Sequence, residues 1–176
     1  MLKTTPSPAP VPVIDSDLDD ADATSETPGS GALDRDAFFN QAPSPWQEIR
    51  QLEYGGDHTF ATLIQNAVLT APPPQHAALE KRLLAVLADR RTTMAAQDFI
   101  CRMLAIIGSE SCVDALMPLL VDEKMSHYAR LALERIPGKK VDAALWSAVP
   151  RLTGAALEGL LGTIAVRKTT RSVPEK

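Results

Sequence analysis

The stretch Met94-Ala95-Ala96-Gln97-Asp98-Phe99-Ile100-Cys101-Arg102-Met103-Leu104-Ala105-Ile106-Ile107-Gly108 decides the fold. Its apolar residues recur at spacings of three and four, the period of an α-helix, and they leave only a narrow polar side. A helix apolar on that many sides must be covered by neighbours on several of them, so it reads as the central layer of a helical assembly. Gly108 follows the last apolar residue, where it is expected to take a left-handed C-terminal conformation without a side-chain penalty.

Working outward, the same period continues in both directions and no strand pattern interrupts it. Upstream, Trp46, Ile49 and Leu52 form a short apolar face that Gly55-Gly56 ends, and a helix is expected over residues 58–70 with Phe60, Leu63, Ile64, Ala67 and Val68 on one side. Ala71-Pro72-Pro73-Pro74 breaks the chain, because proline lacks a backbone donor and restricts the residue before it. Leu79, Leu83, Val86 and Leu87 mark the next helix, over residues 75–88, and Asp89-Arg90-Arg91 the turn after it. Downstream, Val113, Leu116, Met117 and Leu120 share a face. Ser111 and Asp114 have the spacing of a capping box there, and Ser109 is an equally good cap; Pro118 is an internal irregularity. Asp122 is placed to cap a helix carrying Met125, Tyr128, Ala129, Ala132, Leu133 and Ile136, which Pro137-Gly138 stops. Two more helices are expected over residues 139–149 and 153–166, the second with Ala156, Leu157, Leu160, Leu161 and Ile164 inward.

Helices of roughly 10 to 15 residues joined by turns of about two to five leave no room for crossovers, so sequence neighbours are expected to pack antiparallel. An internal echo points to stacking: Val113-Asp114-Ala115-Leu116 returns as Val141-Asp142-Ala143-Ala144-Leu145 twenty-eight residues later, and Ile136 is followed at the same interval by Ile164. A period near 30 residues is what one helix pair and two tight turns occupy. Three to four pairs are expected, the first less regular than the rest.

The beginning of the chain differs. Half of its fourteen prolines lie at or before Pro45, and residues 15–31 mix acids with Ser, Thr and Gly. Such a segment buries too little apolar area to offset its ordering entropy, so residues 1–44 read as a disordered, acidic, Pro-rich leader, 45–168 as the helical repeat domain and 169–176 as a flexible tail. Eight acids against two bases give residues 1–45 a net charge of minus six, and sixteen bases against fourteen acids give the remainder plus two. Neither part has the single-sign field of a protein whose affinity comes from neutralising phosphates. No apolar stretch approaches the ~20 residues that span a bilayer. With no secretory signal pattern either, a cytoplasmic protein without membrane contact is expected.

The wording of residues 119–167 is also familiar. Asp122-Glu123-Lys124-Met125-Ser126-His127-Tyr128-Ala129-Arg130-Leu131-Ala132-Leu133-Glu134-Arg135-Ile136-Pro137, followed by Val141-Asp142-Ala143-Ala144-Leu145, resembles bacterial HEAT-repeat proteins of the short-repeat branch grouped with phycobilisome-lyase-like repeats. Leu161-Gly162-Thr163-Ile164-Ala165-Val166-Arg167 looks like the start of another repeat. The resemblance covers residues 75–170 and implies an all-α, HEAT-like alpha-alpha superhelix, a short solenoid of antiparallel helix pairs. In such families these repeats serve mostly as interaction scaffolds, and no catalytic or pigment-contacting residue maps onto this chain.

Chemistry-bearing patterns are sparse. Cys101 and Cys112 stand eleven apart inside apolar patterns, without CxxC or CxxCH, and read as buried free thiols. His58 and His76 have no carboxylate or thiol spaced to complete a metal site, and no nucleophile elbow, zinc-protease motif or phosphate loop occurs. No catalytic, cofactor-binding or metal-ligating residue is therefore assigned. The residues chosen for partner contact are His127 and Arg130, three apart on one helix, and the basic turn of Arg135, Lys139 and Lys140. Arg167, Lys168 and Arg171 read as a second basic turn. Gly154, Gly159 and Gly162 read as sites of close helix approach or as marks of a weakly stable last helix. The expected function is a non-enzymatic protein-protein interaction scaffold with a protein partner, and a second copy of the chain could pair through the face of the last helix. The alternative is a nucleic-acid-binding module using the basic turns, disfavoured by diluting acids and the lack of an aromatic series for base stacking.

Overall fold

The computed structural model describes residues 44–172, with side chains through Lys168. The leader expected at 1–44 lies outside these residues except for Ser44, as does the end of the expected tail. The described residues all belong to one compact unit, Arg35–Lys176. They form eight α-helices and no strand: α1 (Pro45–Glu48), α2 (Thr59–Thr70), α3 (Pro73–Ala88), α4 (Met94–Ile107), α5 (Val113–Leu120), α6 (Ser126–Arg135), α7 (Lys139–Ala148) and α8 (Gly154–Ser172), with single 3-10 turns at Ile49–Gln51, Glu110–Cys112 and Val149–Arg151.

Sequence neighbours touch as pairs, α1 with α2, α3 with α4, α5 with α6 and α7 with α8, and the most extensive contact lies between α4 and α6. Between pairs, α2, α4, α6 and α8 follow one another as one layer, and α1, α3, α5 and α7 as the other. The twenty-eight-residue echo is thereby explained: Val113 and Val141 occupy corresponding positions on α5 and α7, which pack together, and both are buried. α4 meets α2, α3 and α6, which is why its sequence is apolar almost all round; Ile100, Leu104 and Ala96 are wholly sealed from solvent.

Four local expectations change. The helix after the proline run begins at Pro73 and not at 75, because prolines in a first turn forfeit only amide hydrogens that have no intrahelical partner. Gly108 is not left-handed: its φ of −66° and ψ of 151° are open to any residue. Glycine is required there by space, since an added Cβ would collide with the Leu104 carbonyl and crowd Ile136 and Cys112. Helix α8 continues through Ser172, past the expected end at Val166, so the supposed basic turn of Arg167, Lys168 and Arg171 is a helical segment. Of the two candidate caps before α5 it is Ser109 that acts, its hydroxyl accepting from the Ser111 amide at 3.2 Å. Asp122 does not cap α6, whose N-cap is Met125 without a side-chain bond; its carboxylate instead receives the amides of Lys124 and Met125 at 2.9 and 3.0 Å and fixes the turn leading to that helix.

Acidic side chains tie consecutive pairs together. Glu80 on α3 is buried and accepts from the Ser109 hydroxyl at 2.8 Å and the Cys112 thiol at 3.2 Å, fixing the turn that starts α5. Glu110 in that turn accepts from the Lys140 amide at 2.8 Å, placing a carboxylate at the N-terminus of α7, where the helix dipole favours it. Gly138 makes room for this contact: at φ 125° a side chain is strained, and a Cβ would overlap the Glu110 carboxyl group.

The strongest tie is Arg167. Only 8% exposed, it extends from α8 to the C-terminal end of α6, where one guanidinium nitrogen donates to the carbonyls of Leu133 (2.8 Å), Glu134 (2.8 Å) and Ile136 (2.6 Å). A second donates to Gly138 at 3.4 Å, and Nε pairs with Asp142 of α7 at 2.8 Å. The last carbonyls of a helix have no intrahelical partner and concentrate its negative dipole end, so a cation there satisfies both. Burial pushes this guanidinium below its usual range, the cost of desolvation, yet arginine stays charged at neutral pH. Arg167→Met should therefore strand both Asp142 and the carbonyls and lower unfolding free energy by about 3 kcal/mol. In urea titrations Arg167→Lys should recover less than half of that loss, because one compact ammonium cannot reproduce the fork, while exposed Arg151→Met should stay within about 0.5 kcal/mol of the parent.

Candidate functional site

Helices α4 and α6 lie side by side, and a groove of about 490 Å³ runs between their outward surfaces. Its floor is apolar, made by Cys101, Ala105 and Ala132 with the ring of Tyr128. Ile106 and Leu131 form its rims and are 47% and 40% exposed, two of the large apolar side chains that face solvent among the described residues and the two that flank this groove. Arg102 lines it from α4 and Arg135 from α6.

One carboxylate closes the arrangement. Asp98 is 6% exposed, with Arg102 Nε 3.1 Å from one oxygen, and its other oxygen receives the Tyr54 hydroxyl and an Arg102 Nη2, both at 3.4 Å. The first oxygen is sealed from solvent without an aligned hydrogen bond, so its charge is balanced by the nearby guanidinium. The Arg102 side chain is itself 61% exposed. Arg135 is exposed and makes no hydrogen bond or ion pair among the described residues.

The residues chosen from sequence are scattered by the fold. Arg130 is drawn between α6 and α8: Nη1 donates to Thr163 at 2.9 Å and lies 3.8 Å from Glu134, which accepts from the same Thr163 hydroxyl at 2.6 Å. The close approach depends on Gly159, where a Cβ would come within 3.0 Å of Arg130 Nε. His127 is exposed, and its Nδ1 accepts from Arg130 Nη2 at 3.1 Å. Lys140 is spent on Asp114, 2.8 Å away, and Lys139 is exposed beside it. Of the five, Arg135 alone lines the groove.

Sequence reasoning missed Ile106 as a rim, Leu131, Arg102 and Asp98. Leu131 carried a usable signal, because it falls off the apolar face of α6 and must point away from the core.

Smaller hollows occur elsewhere. One of about 180 Å³ lies between α7 and α8 beside Trp146, whose ring carries the Lys168 ammonium 4.7 Å from its centroid. Another, of about 340 Å³, adjoins the loop after α1 and includes Glu53 and Asp57. Among the described residues no three of His, Cys, Asp and Glu gather to hold an ion, and no helix is long and apolar enough to cross a membrane.

Both cysteines are free and buried. Burial pushes the Cys101 thiol up to about 12, and the Cys112 thiol likewise to about 12, with the Glu80 acceptor adding to the effect. Neutral thiols are poor nucleophiles, so the floor of the groove is inert surface. Because the folded thiols titrate above the unfolded value of 9.0, the folded state holds more protons between pH 9 and 12. Stability should be fully present below pH 9 and fall above it, by roughly 1 kcal/mol per thiol at pH 10. Urea titrations of the parent and of Cys101→Ser at pH 8 and pH 10 measure this, and the variant should show the smaller fall.

No family model, curated protein or solved structure matches this chain.

Proposed function

We propose that this chain is a non-enzymatic protein-interaction scaffold, a short HEAT-like stack of antiparallel helix pairs that meets its partner through one surface. The layered pairing of the helices supports the stacked reading, together with the twenty-eight-residue echo. The single observation that carries the function is the α4/α6 groove, where Ile106 and Leu131 stand out of a folded surface without cover. Large apolar side chains grouped on a surface and rimmed by charge mark contact sites. Electrostatics favour a protein over a nucleic acid, since Arg130, Lys140 and Arg167 are engaged within the chain and sixteen bases against fourteen acids give residues 46–176 a net charge of only plus two.

A photo-crosslinking residue placed at Leu131, Leu69 or Lys139 of the full chain, in its native cells, tests this. A discrete protein adduct from Leu131 is expected, and nothing discrete from Leu69. No protein adduct from any position would overturn the scaffold reading. Nuclease-sensitive adducts from Lys139, with retention on DNA or RNA at about 50 mM salt, would establish the nucleic-acid reading in its place.

A further inference from the structure

We infer that the α4/α6 groove receives a short acidic amphipathic helix of a partner protein, its apolar face on Ile106 and Leu131 and its carboxylates on Arg135 and Arg102. This rests on the scaffold reading above and names the chemistry of the partner.

The backbone of the ligand follows from what the groove lacks. Its walls are two α-helices whose amide and carbonyl groups are consumed within their own turns, so no sheet edge is offered for an extended peptide to join. Recognition must then run through side chains, and an apolar trough between parallel ridges of side chains is what an apolar helical stripe fits. The size agrees: about 490 Å³ takes a few inserted side chains, not a whole segment. The groove is open along its length, with Ile106 and Leu131 47% and 40% exposed at its rims, whereas small-molecule sites are concave enough to enclose most of their ligand.

The sign of the partner's charge follows from Asp98. This carboxylate is already sealed, with Arg102 and Tyr54 upon it, so a cationic ligand could reach it only by displacing Arg102. An anionic ligand displaces nothing. Among the described residues Arg102 Nη1 makes no hydrogen bond and Arg135 makes no ion pair, and both side chains line the groove, one on each wall. A guanidinium has five donors in a fixed fork, and a carboxylate can take two of them at once.

Three fluorescent 18-residue peptides test the inference against the full chain at about 50 mM salt: a helix-forming sequence with leucines at i, i+4 and i+7 flanked by glutamates, the same stripe flanked by lysines, and the glutamate peptide with a central proline. The glutamate peptide should bind saturably, at least about tenfold tighter than the lysine peptide, the difference one rim charge pair supplies. Arg135→Glu, at an exposed position, should reverse that preference, and Leu131→Ser should weaken both peptides. The inference is overturned by any of three results: no saturable binding of the glutamate peptide, a preference unchanged in Arg135→Glu, or equal binding of the proline-interrupted peptide. If those results come with a protein adduct from Leu131 in cells, the partner's chemistry is wrong and the scaffold reading stands.

Discussion

A desolvated guanidinium sets the terms for the C-terminal half of this molecule. Arg167 reaches the end of α6 only if α8 lies along α6 at one height, and it meets Asp142 only if α7 is in place as well. Three helices are thereby fixed by one side chain whose charge would be costly to bury in any other arrangement. The same logic, with opposite sign, recurs at buried Glu80 and at exposed Glu110, each of which binds the beginning of a later helix. Apolar packing would let neighbouring pairs slide; these directional contacts choose the register.

That register also explains why the groove exists. On one side α6 is held by Arg167 and by the Arg130, Thr163 and Glu134 cluster, both of which bind it to α8. On the other it faces α4, where the contact floor is built from the small residues Ala105 and Ala132 and from Cys101. Small side chains between two helices leave a trough along their outer edges. Asp98 needs a counter-charge in this setting, and Arg102 supplies it, so a polar rim accompanies the apolar floor.

The helices themselves were legible in the sequence because burial in a layered assembly leaves a three-and-four period, and α4 was found to the residue. What periodicity reports is which face turns inward, and it is silent about which neighbour that face meets. Gly108 shows the difference: a glycine after a helix suggests a backbone conformation, while its actual constraint is the proximity of Ile136 and Cys112 from elsewhere in the chain. Arg167 was misread for a related reason. In sequence an arginine near Lys168 and Arg171 is solvated charge, and only the three-dimensional position of the α6 carbonyls makes it an interior residue. Arg130, chosen from the sequence for partner contact, is bonded to Thr163 and paired with Glu134 within the chain. The groove was nearly invisible for a simpler reason: it is a property of two helices at once, foreshadowed only by Leu131 standing off its helix's apolar face.

The two tryptophans occupy opposite ends of this arrangement. Trp46 is buried in the first pair with Arg82 near its ring, and Trp146 is half-exposed in the last pair beneath Lys168. Principal contacts link each pair to its neighbours, so disorder starting at one end must pass through the intermediate pairs to reach the other. The chain thus carries an indole at each terminus of its own cooperative unit. Their emission, resolved separately, would tell whether the assembly melts as one body or frays inward from a preferred end.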